Sequence, residues 1–380
     1  MAKPGRRANG EGSLYFRKED NTWRGKVQVG FSEEGRPRYR YVCGRTKTEA
    51  KAKLDELNRQ MSAGVEVDKH FTVRAFVERW LQAKAVGSSA RTIELYTGYL
   101  QRVSNRIGRL DLTKVTPLHV QGIVDDATRE SGVATANKVR KVMFGMFEQA
   151  RRWRLVAWNP VDGVDPLKEE PQEFDIWTPA EAACFLDVAR SHRLYALFYL
   201  AMSTGMRKGE LIALRWSDLA ANRLRVSRSV TRVNNRLSIS VPKTKSGNRV
   251  VSLSEDVIDV LEGHRQRQLY EAAGAAKGFN TDSLVFCNQD GNMITPMALH
   301  HVFKRLQTRA GVKRVRFHDL RHLHVSLLIR SGVSAEVVAD RVGHRDGSFT
   351  LRQYTHVFAE SKREAAIPLT NLLAHRGKRN

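Results

Sequence analysis

Six side chains in the second half of the chain are of the types that can break a phosphodiester bond without a metal ion. They lie in four short segments, residues 204–210, 242–247, 318–322 and 343–354. This reaction needs a nucleophile, fixed cations for the charge on the non-bridging phosphate oxygens, and a proton donor for the leaving oxygen. The candidates that supply these groups are Tyr354, Arg207, Lys245, His318, Arg321 and His344.

The charge of the chain favours a polyanionic partner. In 380 residues, 64 Lys and Arg stand against 40 Asp and Glu, which gives a formal net charge of +24. Nucleic acid is the commonest partner of so basic a chain. Charge alone leaves open a soluble basic protein that binds no nucleic acid.

Cysteine spacing and hydropathy argue against several other classes. Cys43, Cys184 and Cys287 form no close pair of the kind that holds a metal or builds a disulfide framework, so we expect a reducing compartment. No apolar stretch follows the basic N-terminus, which argues against a secretory signal. The longest apolar run, at residues 194–202, is too short to span a bilayer. We therefore expect a soluble cytoplasmic protein.

The first 62 residues predict a small domain of their own, since a chain of this length normally forms two or three domains. Alternating apolar and polar positions at 13–17, 23–29 and 38–43 predict a three-stranded antiparallel sheet. Thr46 and Glu49 form a capping box before a helix at 50–61. Residues 1–62 hold 15 basic and 8 acidic side chains, net +7. This predicts a DNA-binding domain, with a basic domain that only packs on its neighbour as the alternative.

Residues 70–158 have helical periodicity throughout, and their apolar stripes predict the core of an all-helical domain. Arg140, Lys141, Arg151 and Arg152 lie off the stripe of the last helix. They are candidates either for phosphate contact or for a solvated face.

The third domain is predicted over residues 175–380, after a linker at 159–174 that holds three prolines. Thr178 and Glu181 form another capping box, with Pro179 at the first helical position. Helices reach about residue 219, strands are predicted at 223–253 and 283–287, and helices return after Pro296. The predicted fold is multidomain α+β: a sheet-plus-helix N-terminal domain, a helical domain, and a mainly helical domain with a small antiparallel sheet.

The chain resembles the tyrosine recombinases, the family of phage integrases and Xer resolvases. The resemblance covers the whole chain and is strongest at 204–216, at the His-Asp-Leu-Arg-His box at 318–322, and at Gly343-His344 followed by Gln-Tyr-Thr-His at 353–356. These motifs are specific in this order and spacing, although each alone is weak. The resemblance implies that residues 1–62 are like the arm-binding domain of lambda-type integrases, and residues 70–158 like their core-binding domain.

The resemblance also implies a role for each candidate. Tyr354 would be the nucleophile that takes the 3′-phosphate and frees a 5′-hydroxyl. Arg207 and Arg321 would hold the non-bridging oxygens, a bidentate task that suits guanidinium groups. His318 would take or return the tyrosine proton, and His344 would hydrogen-bond the phosphate.

Lys245, on a strand turn, would protonate the departing 5′-oxygen, although Lys243 two positions away leaves that assignment open. Glu210 is expected to orient the first arginine through a buried ion pair. The sequence departs from the family pattern at Leu323 and Val325, which we expect to face the core. No metal or other cofactor is expected.

The partners that the resemblance implies are double-stranded DNA, with core-type and arm-type attachment sites, and a homotetramer on that DNA. An excisionase and a DNA-bending host factor are further candidate partners. No membrane partner is expected, and the protein would work at the nucleoid of a bacterial host.

Three other readings of the chain remain. His318 and His322 have the i, i+4 spacing of zinc ligands, but Asp319 is shorter than the glutamate base of that motif, and Arg321 would place a cation beside the metal. A binding protein that has lost the reaction would not need the complete set of candidates. A type IB topoisomerase or an Xer-like resolvase would use the same chemistry, and the first domain argues for assembly on two sites.

Overall fold

The computed structural model describes residues 12–31, 34–62, 71–170, 176–234, 236–240, 247–274, 279 and 283–344. The chain divides into two compact units, Met1–Pro171 and Gln172–Asn380. Lys243, Lys245 and Tyr354 lie outside the described residues. No helix in the described ranges is both long and apolar enough to cross a membrane.

The first unit begins with the predicted antiparallel sheet. Its strands are Ser13–Arg17 (β1), Thr22–Phe31 (β2) and Pro37–Gly44 (β3), in the order β1-β2-β3. Helix α1, Lys47–Ser62, packs on the sheet through Leu54 and Leu57 against Val27. The helix starts where the capping box predicts: Glu49 N donates to Thr46 Oγ1 at 3.2 Å, and Arg45 N donates to Glu49 Oε2 at 2.9 Å.

Four helices form the rest of the first unit, as the periodicity predicts. Polar caps begin two of them, since Thr72 accepts from Ala75 N and Ser89 from Thr92 N. The predicted stripe of the last helix is buried at Val139, Val142, Met146, Phe147 and Ala150. The helices are Val73–Ala85 (α2), Ala90–Ile107 (α3), Pro117–Ser131 (α4) and Val133–Arg152 (α5).

The basic side chains on α5 differ in their surroundings. Arg151 and Arg152 both pair with Glu148, while Lys141 is exposed. Arg140 Nε donates to Val164 O at 2.5 Å. A role for these residues in phosphate contact stays a prediction.

The packed part of the helical region extends past residue 158, where the sequence predicts a linker. Val161 and Val164 are buried in the same core as α2–α5. Asn159 turns the chain back onto α5, because its side chain accepts from Val161 N at 3.1 Å and donates to Phe144 O at 3.2 Å. Prolines and charges in this stretch therefore mark a chain reversal as well as a connection.

The second unit is mainly helical around a large core. Its aromatic centre includes Phe185, Phe198, Phe303 and Phe317, with ring centroids 5.3–6.3 Å apart. The helices are Pro179–Ala189 (α6), Tyr195–Thr204 (α7), Lys208–Ile212 (α8), Glu255–Ala273 (α9), Pro296–Ala310 (α10), Asp319–Arg330 (α11) and Ala335–Val342 (α12). The capping box of α6 is present, since Glu181 accepts from Thr178 N and Thr178 from Glu181 N.

Among the described residues of this unit, five short strands form two antiparallel groups, β4-β5-β8 and the pair β6-β7. They are Leu219–Ala220 (β4), Arg223–Val226 (β5), Ser229–Val233 (β6), Arg236–Ser240 (β7) and Arg249–Ser252 (β8). The strand predicted at 283–287 is not formed; only isolated bridges at Leu284 and Cys287 occur there. The segment is buried, and main-chain bonds join it to residues 214–216 at Trp216 N to Ser283 O and at Val285 N to Leu214 O, both 2.9 Å. The carbonyl groups of Leu284 and Val285 are instead contacted by side chains, since Gln268 donates to Leu284 O at 3.0 Å and His264 contacts Val285 O at 2.7 Å.

Candidate active site

Arg207 is presented by the sharp end of helix α7. Gly205 ends that helix with φ +62°, and a Cβ there would stand 2.8 Å from the His324 ring, so only glycine fits without displacement. Arg207 then precedes the short helix α8. Its Nη2 donates to Gly343 O at 3.0 Å, and 42% of its side chain remains exposed. The guanidinium group is therefore held by the main chain just after α12, while part of it remains accessible to solvent.

Glu210 makes the buried ion pair with Arg207 that the sequence predicts. Its Oε1 lies 2.9 Å from Arg207 Nη1, and its Oε2 accepts from Arg207 N at 2.9 Å. Burial alone would raise the pKa of Glu210, but hydrogen bonds and charge from Arg249 and Arg207 lower it below the ordinary value. The carboxylate therefore stays ionised, and it fixes both the main chain and the side chain of Arg207.

Arg321 comes to the same place from helix α11. Asp319 anchors the start of this helix by accepting from Arg316 N at 2.6 Å. Arg321 is 3% exposed, and its Nη1 donates to Gly205 O at 2.9 Å. The two predicted arginines thus meet at one turn of backbone, because Gly205 is only two residues from Arg207.

His318 and His344 complete the described part of the site. His344 follows Gly343, which ends α12 with φ +70°, and its N donates to Ala339 O at 2.9 Å. Burial, and then the charges of Arg321 and Arg207, lower the pKa of His344 to about 4. Burial and Arg321 also lower the pKa of His318. Four of the six predicted residues therefore lie together, and both histidines are neutral at pH 7.

The pair considered as zinc ligands lies in the same cationic surroundings. The rings of His318 and His322 meet edge to face with centroids 5.2 Å apart. Burial, and then the neighbouring His318, lower the pKa of His322 to about 4, and Arg316 and Arg321 add to this shift. Among the described residues, no group of three His, Cys, Asp or Glu side chains is placed to hold a metal ion.

The structure describes segments next to the two remaining candidates, Lys245 and Tyr354. Lys245 falls between the end of β7 at Ser240 and the start of β8 at Arg249, and Tyr354 follows α12, which ends at Val342. Leu323 and Val325, the departures from the family pattern, are 2% and 0% exposed and face the core as expected.

Three polar residues around the site escape prediction from the sequence. They are buried Arg249 on β8, buried His324 on α11 and half-buried Arg341 near the end of α12. A signal for Arg249 is present in retrospect: on β8 the buried positions alternate, and Arg249 shares a face with buried Val251. A charged residue on the buried face of a strand indicates a buried partner.

A cleft of about 580 Å³ opens next to Arg207, since Lys208 is one of its lining residues. Its described lining residues include no acidic side chain; they are Lys208, Arg232, Leu237, Thr295, Pro296, Met297 and His300. Burial lowers the pKa of Lys208, which directly follows Arg207. The cleft therefore offers cationic groups beside the site.

The buried histidines predict a loss of stability in mild acid. Burial, chiefly, lowers the pKa of His322, His324 and His344 to about 4 from the ordinary 6.5. Between these pH values the three histidines bind protons in the unfolded chain but not in the folded chain. The free energy of unfolding should therefore fall as pH drops from about 6.5 to about 4. Thermal unfolding across this interval checks the expectation. His324→Gln, which takes up no proton, should flatten the dependence, and a midpoint that does not change with pH would contradict it.

Comparison with known proteins places this site in a family. Residues 178–361 match the model of the phage integrase family. A relative from Caldanaerobacter subterraneus, a "tyrosine recombinase XerC-like" protein, is 27% identical over 94% of this chain and 98% of its own length.

Two solved structures share the fold. The integrase of the transposon Tn1549, in complex with a circular intermediate DNA, covers 77% of this chain and 99% of its own, with TM-score 0.65 and 22% identity. A lambda integrase tetramer bound to a Holliday junction covers 88% of this chain and 96% of its own, with TM-score 0.59 and 18% identity.

The fold, the clustered arginines and histidines, and the family match define an enzyme that rearranges DNA at specific sites. Residues 178–361 form a domain of the phage integrase family, and the chain is a tyrosine-type site-specific recombinase.

Proposed function

We propose that this recombinase integrates and excises a phage or other mobile element through a 3′-phosphotyrosyl intermediate formed on Tyr354. The observation that carries the proposal is the convergence of Arg207 and Arg321 on the turn at Gly205, with two neutral histidines beside them. The Tyr354 oxygen forms a bond to phosphorus as the bond to the 5′-oxygen breaks. Attack by the 5′-hydroxyl of a second duplex reverses the step. The phosphotyrosyl bond conserves the energy of the broken strand, so no nucleotide is required.

The described contacts suit the proposed roles. Arg207 is anchored through Nη2 to Gly343 O and through Nη1 to Glu210, and Arg321 is anchored through Nη1 to Gly205 O. Both guanidinium groups hold the non-bridging oxygens of the scissile phosphate. A neutral His318 can accept the tyrosine proton, which a protonated ring could not. A neutral His344 keeps one ring N–H as a donor to the phosphate. Lys245 protonates the 5′-oxygen.

The wider surface supports binding to duplex DNA. Beside the net charge of +24, the cleft lined by Lys208, Arg232 and His300 lies next to the proposed scissile-phosphate site. Cationic side chains in such a place neutralise backbone phosphates, which fixes the position of the DNA without reading its sequence. The core-type site would lie along this cleft.

The assembly that we propose is a homotetramer on two duplexes, as in the lambda integrase complex. Residues 1–62 bind arm-type sites, residues 70–158 bind the core site, and residues 175–380 carry out the reaction. An excisionase and a DNA-bending host factor complete the set of partners, in the cytoplasm of a bacterial host. An Xer-like resolvase and a type IB topoisomerase are the alternatives.

Strand exchange tests the proposal. Incubation with two duplexes, labelled differently and carrying the attachment site from the DNA flanking the gene, should give products that join one label to the other. A topoisomerase would relax a single supercoiled duplex and yield no joined product. Relaxation without exchange would overturn the integrase proposal.

The same assay tests the first domain. A chain of residues 63–380 should lose binding to arm-type sites and still cleave a core site, because every proposed catalytic residue lies beyond residue 200. The full chain should bind DNA less tightly as salt increases, since phosphate contacts release counterions. Unchanged arm-site binding by the shortened chain would overturn the domain assignment.

The role of Lys245 predicts a rescue by sulfur. A thiol is a far stronger acid than an alcohol, so a thiolate leaving group departs without a proton donor. Lys245→Ala should therefore cleave ordinary DNA slowly and cleave a 5′-bridging phosphorothiolate at close to the parent rate. Single-turnover cleavage of the two substrates measures this. Lys243→Ala is the matched control, and rescue of that variant alone would move the general acid to Lys243.

A further inference from the structure

Arg249, the first residue of β8, sits buried between two parts of the proposed phosphate site. It is 8% exposed. Its Nη1 and Nη2 donate to Glu210 Oε1 and Oε2 at 3.2 and 2.9 Å, and its Nε donates to Arg341 O at 2.9 Å. One guanidinium thus contacts both the carboxylate that holds Arg207 and the main chain of α12.

On the first side, two arginines share one carboxylate. Each oxygen of Glu210 accepts one bond from Arg249 and one from Arg207, the latter through Nη1 and the main-chain N. Glu210 is 4% exposed, so it cannot exchange a lost partner for water. Without the fork from Arg249, the carboxylate would be free to rotate toward Arg207 and change the direction in which that guanidinium points.

On the second side, Arg249 secures the segment that leads to His344. The side chain of Arg341 donates hydrogen bonds to Ser252 O at 3.1 Å, Ser203 O at 3.2 Å and His324 Nε2 at 3.3 Å. Two residues later, Gly343 O accepts from Arg207 Nη2 at 3.0 Å. The contacts form a closed ring, which runs from Arg249 through Glu210, Arg207 and the Gly343 segment to Arg341 and back.

We infer that Arg249 is a positioning residue that fixes Arg207 and the segment carrying His344 relative to each other, by bridging Glu210 and the Arg341 carbonyl. The inference rests on the proposed function, in which Arg207 holds a non-bridging oxygen of the scissile phosphate. It goes further, because it assigns a role in the reaction to a residue that does not touch the DNA.

The test uses substrates whose scissile phosphate carries a methyl group in place of one non-bridging oxygen. Such a methylphosphonate has no charge, so its cleavage depends less on the arginine that would contact the missing oxygen. The two diastereomers remove different oxygens. Arg207→Ala identifies the diastereomer that relieves the need for Arg207.

Arg249→Met should form the covalent adduct about a hundredfold more slowly than the parent on ordinary DNA, the scale expected for a misplaced catalytic group. On the diastereomer that rescues Arg207→Ala, this gap should shrink by about tenfold or more, and on the other diastereomer it should persist. Arg249→Lys keeps the buried charge and one hydrogen bond, so it should fold and give the same preference with a smaller loss.

Arg193→Met is the matched control. Arg193 is half-buried and, like Arg249, bonds a carboxylate and a main-chain carbonyl, but its partners are Glu271, Cys287 and Asn288, away from the phosphate site. Its variant should show the same ratio to the parent on all three substrates. If both Arg249 variants behave like this control, Arg249 serves the fold alone and the inference is wrong. If neither diastereomer rescues Arg207→Ala, the proposed role of Arg207 fails instead.

Discussion

Tyr354→Phe should bind its DNA with near-normal affinity and form no covalent adduct. The substitution removes only the phenolic oxygen, which is the atom proposed to bond to phosphorus. Every contact described for Arg207, Arg321 and His344 stays in place, so the site still receives the phosphate. A denaturing gel of labelled DNA after incubation with the protein measures the adduct, and a gel shift measures binding.

Tyr270→Phe is the control for that experiment, because Tyr270 is 83% exposed on α9 and has no proposed part in the reaction. It should give the parent's covalent band. A band of parental intensity from Tyr354→Phe would show that another residue is the nucleophile.

Loss of either phosphate-binding arginine should reduce cleavage by about a hundredfold or more, the usual effect of removing a preorganised charge from a transition state. Arg207→Lys should recover little, since an ammonium group cannot bond both Glu210 and Gly343 O while also facing the phosphate. Single-turnover cleavage measures the loss. Near-normal cleavage by the lysine variant would reduce Arg207 to an ion-pair partner of Glu210.

The two alanine variants should differ in stability although they share the loss of activity. Arg207→Ala leaves Glu210 paired with Arg249, so the midpoint of thermal unfolding should change little. Arg321→Ala empties a fully buried position and removes the donor to Gly205 O, which typically costs about 1–3 kcal/mol. Arg190→Ala, at an exposed ion pair, is the control for both measurements. An unstable Arg207→Ala would show that Arg249 alone cannot satisfy Glu210.

Local signals predict much of this fold because they act within a few residues. The caps at Thr46, Thr72 and Thr178 begin helices where the sequence places them, and the apolar stripe of α5 is buried at every predicted position. Residue type and spacing likewise identify Arg207, His318, Arg321 and His344 as candidate site residues. Their convergence cannot be derived from spacing alone, since it depends on Gly205 O and Gly343 O, at the ends of two helices that are far apart in the sequence.

The structure differs from the local pattern where tertiary contacts intervene. The segment 283–287 is apolar like a strand, but His264 and Gln268 occupy its carbonyl groups. Asn159 begins what composition predicts as a linker, and its side chain instead ties the chain to α5. Arg249 and Arg341 are single arginines in a chain rich in arginine, and what distinguishes them is their surroundings, since Arg249 is buried and Arg341 is half-buried.

The glycine carbonyls at the ends of α7 and α12 have a consequence for how the enzyme handles its own cations. Gly205 O holds Arg321 and Gly343 O holds Arg207. A carbonyl is a dipole, so it steers a guanidinium without neutralising it. The direction of Arg321 is therefore set through Gly205 O by the path of the main chain, whereas that of Arg207 is set jointly by Gly343 O and the Glu210 carboxylate. A shift of either helix end would change these directions even with every charged side chain intact.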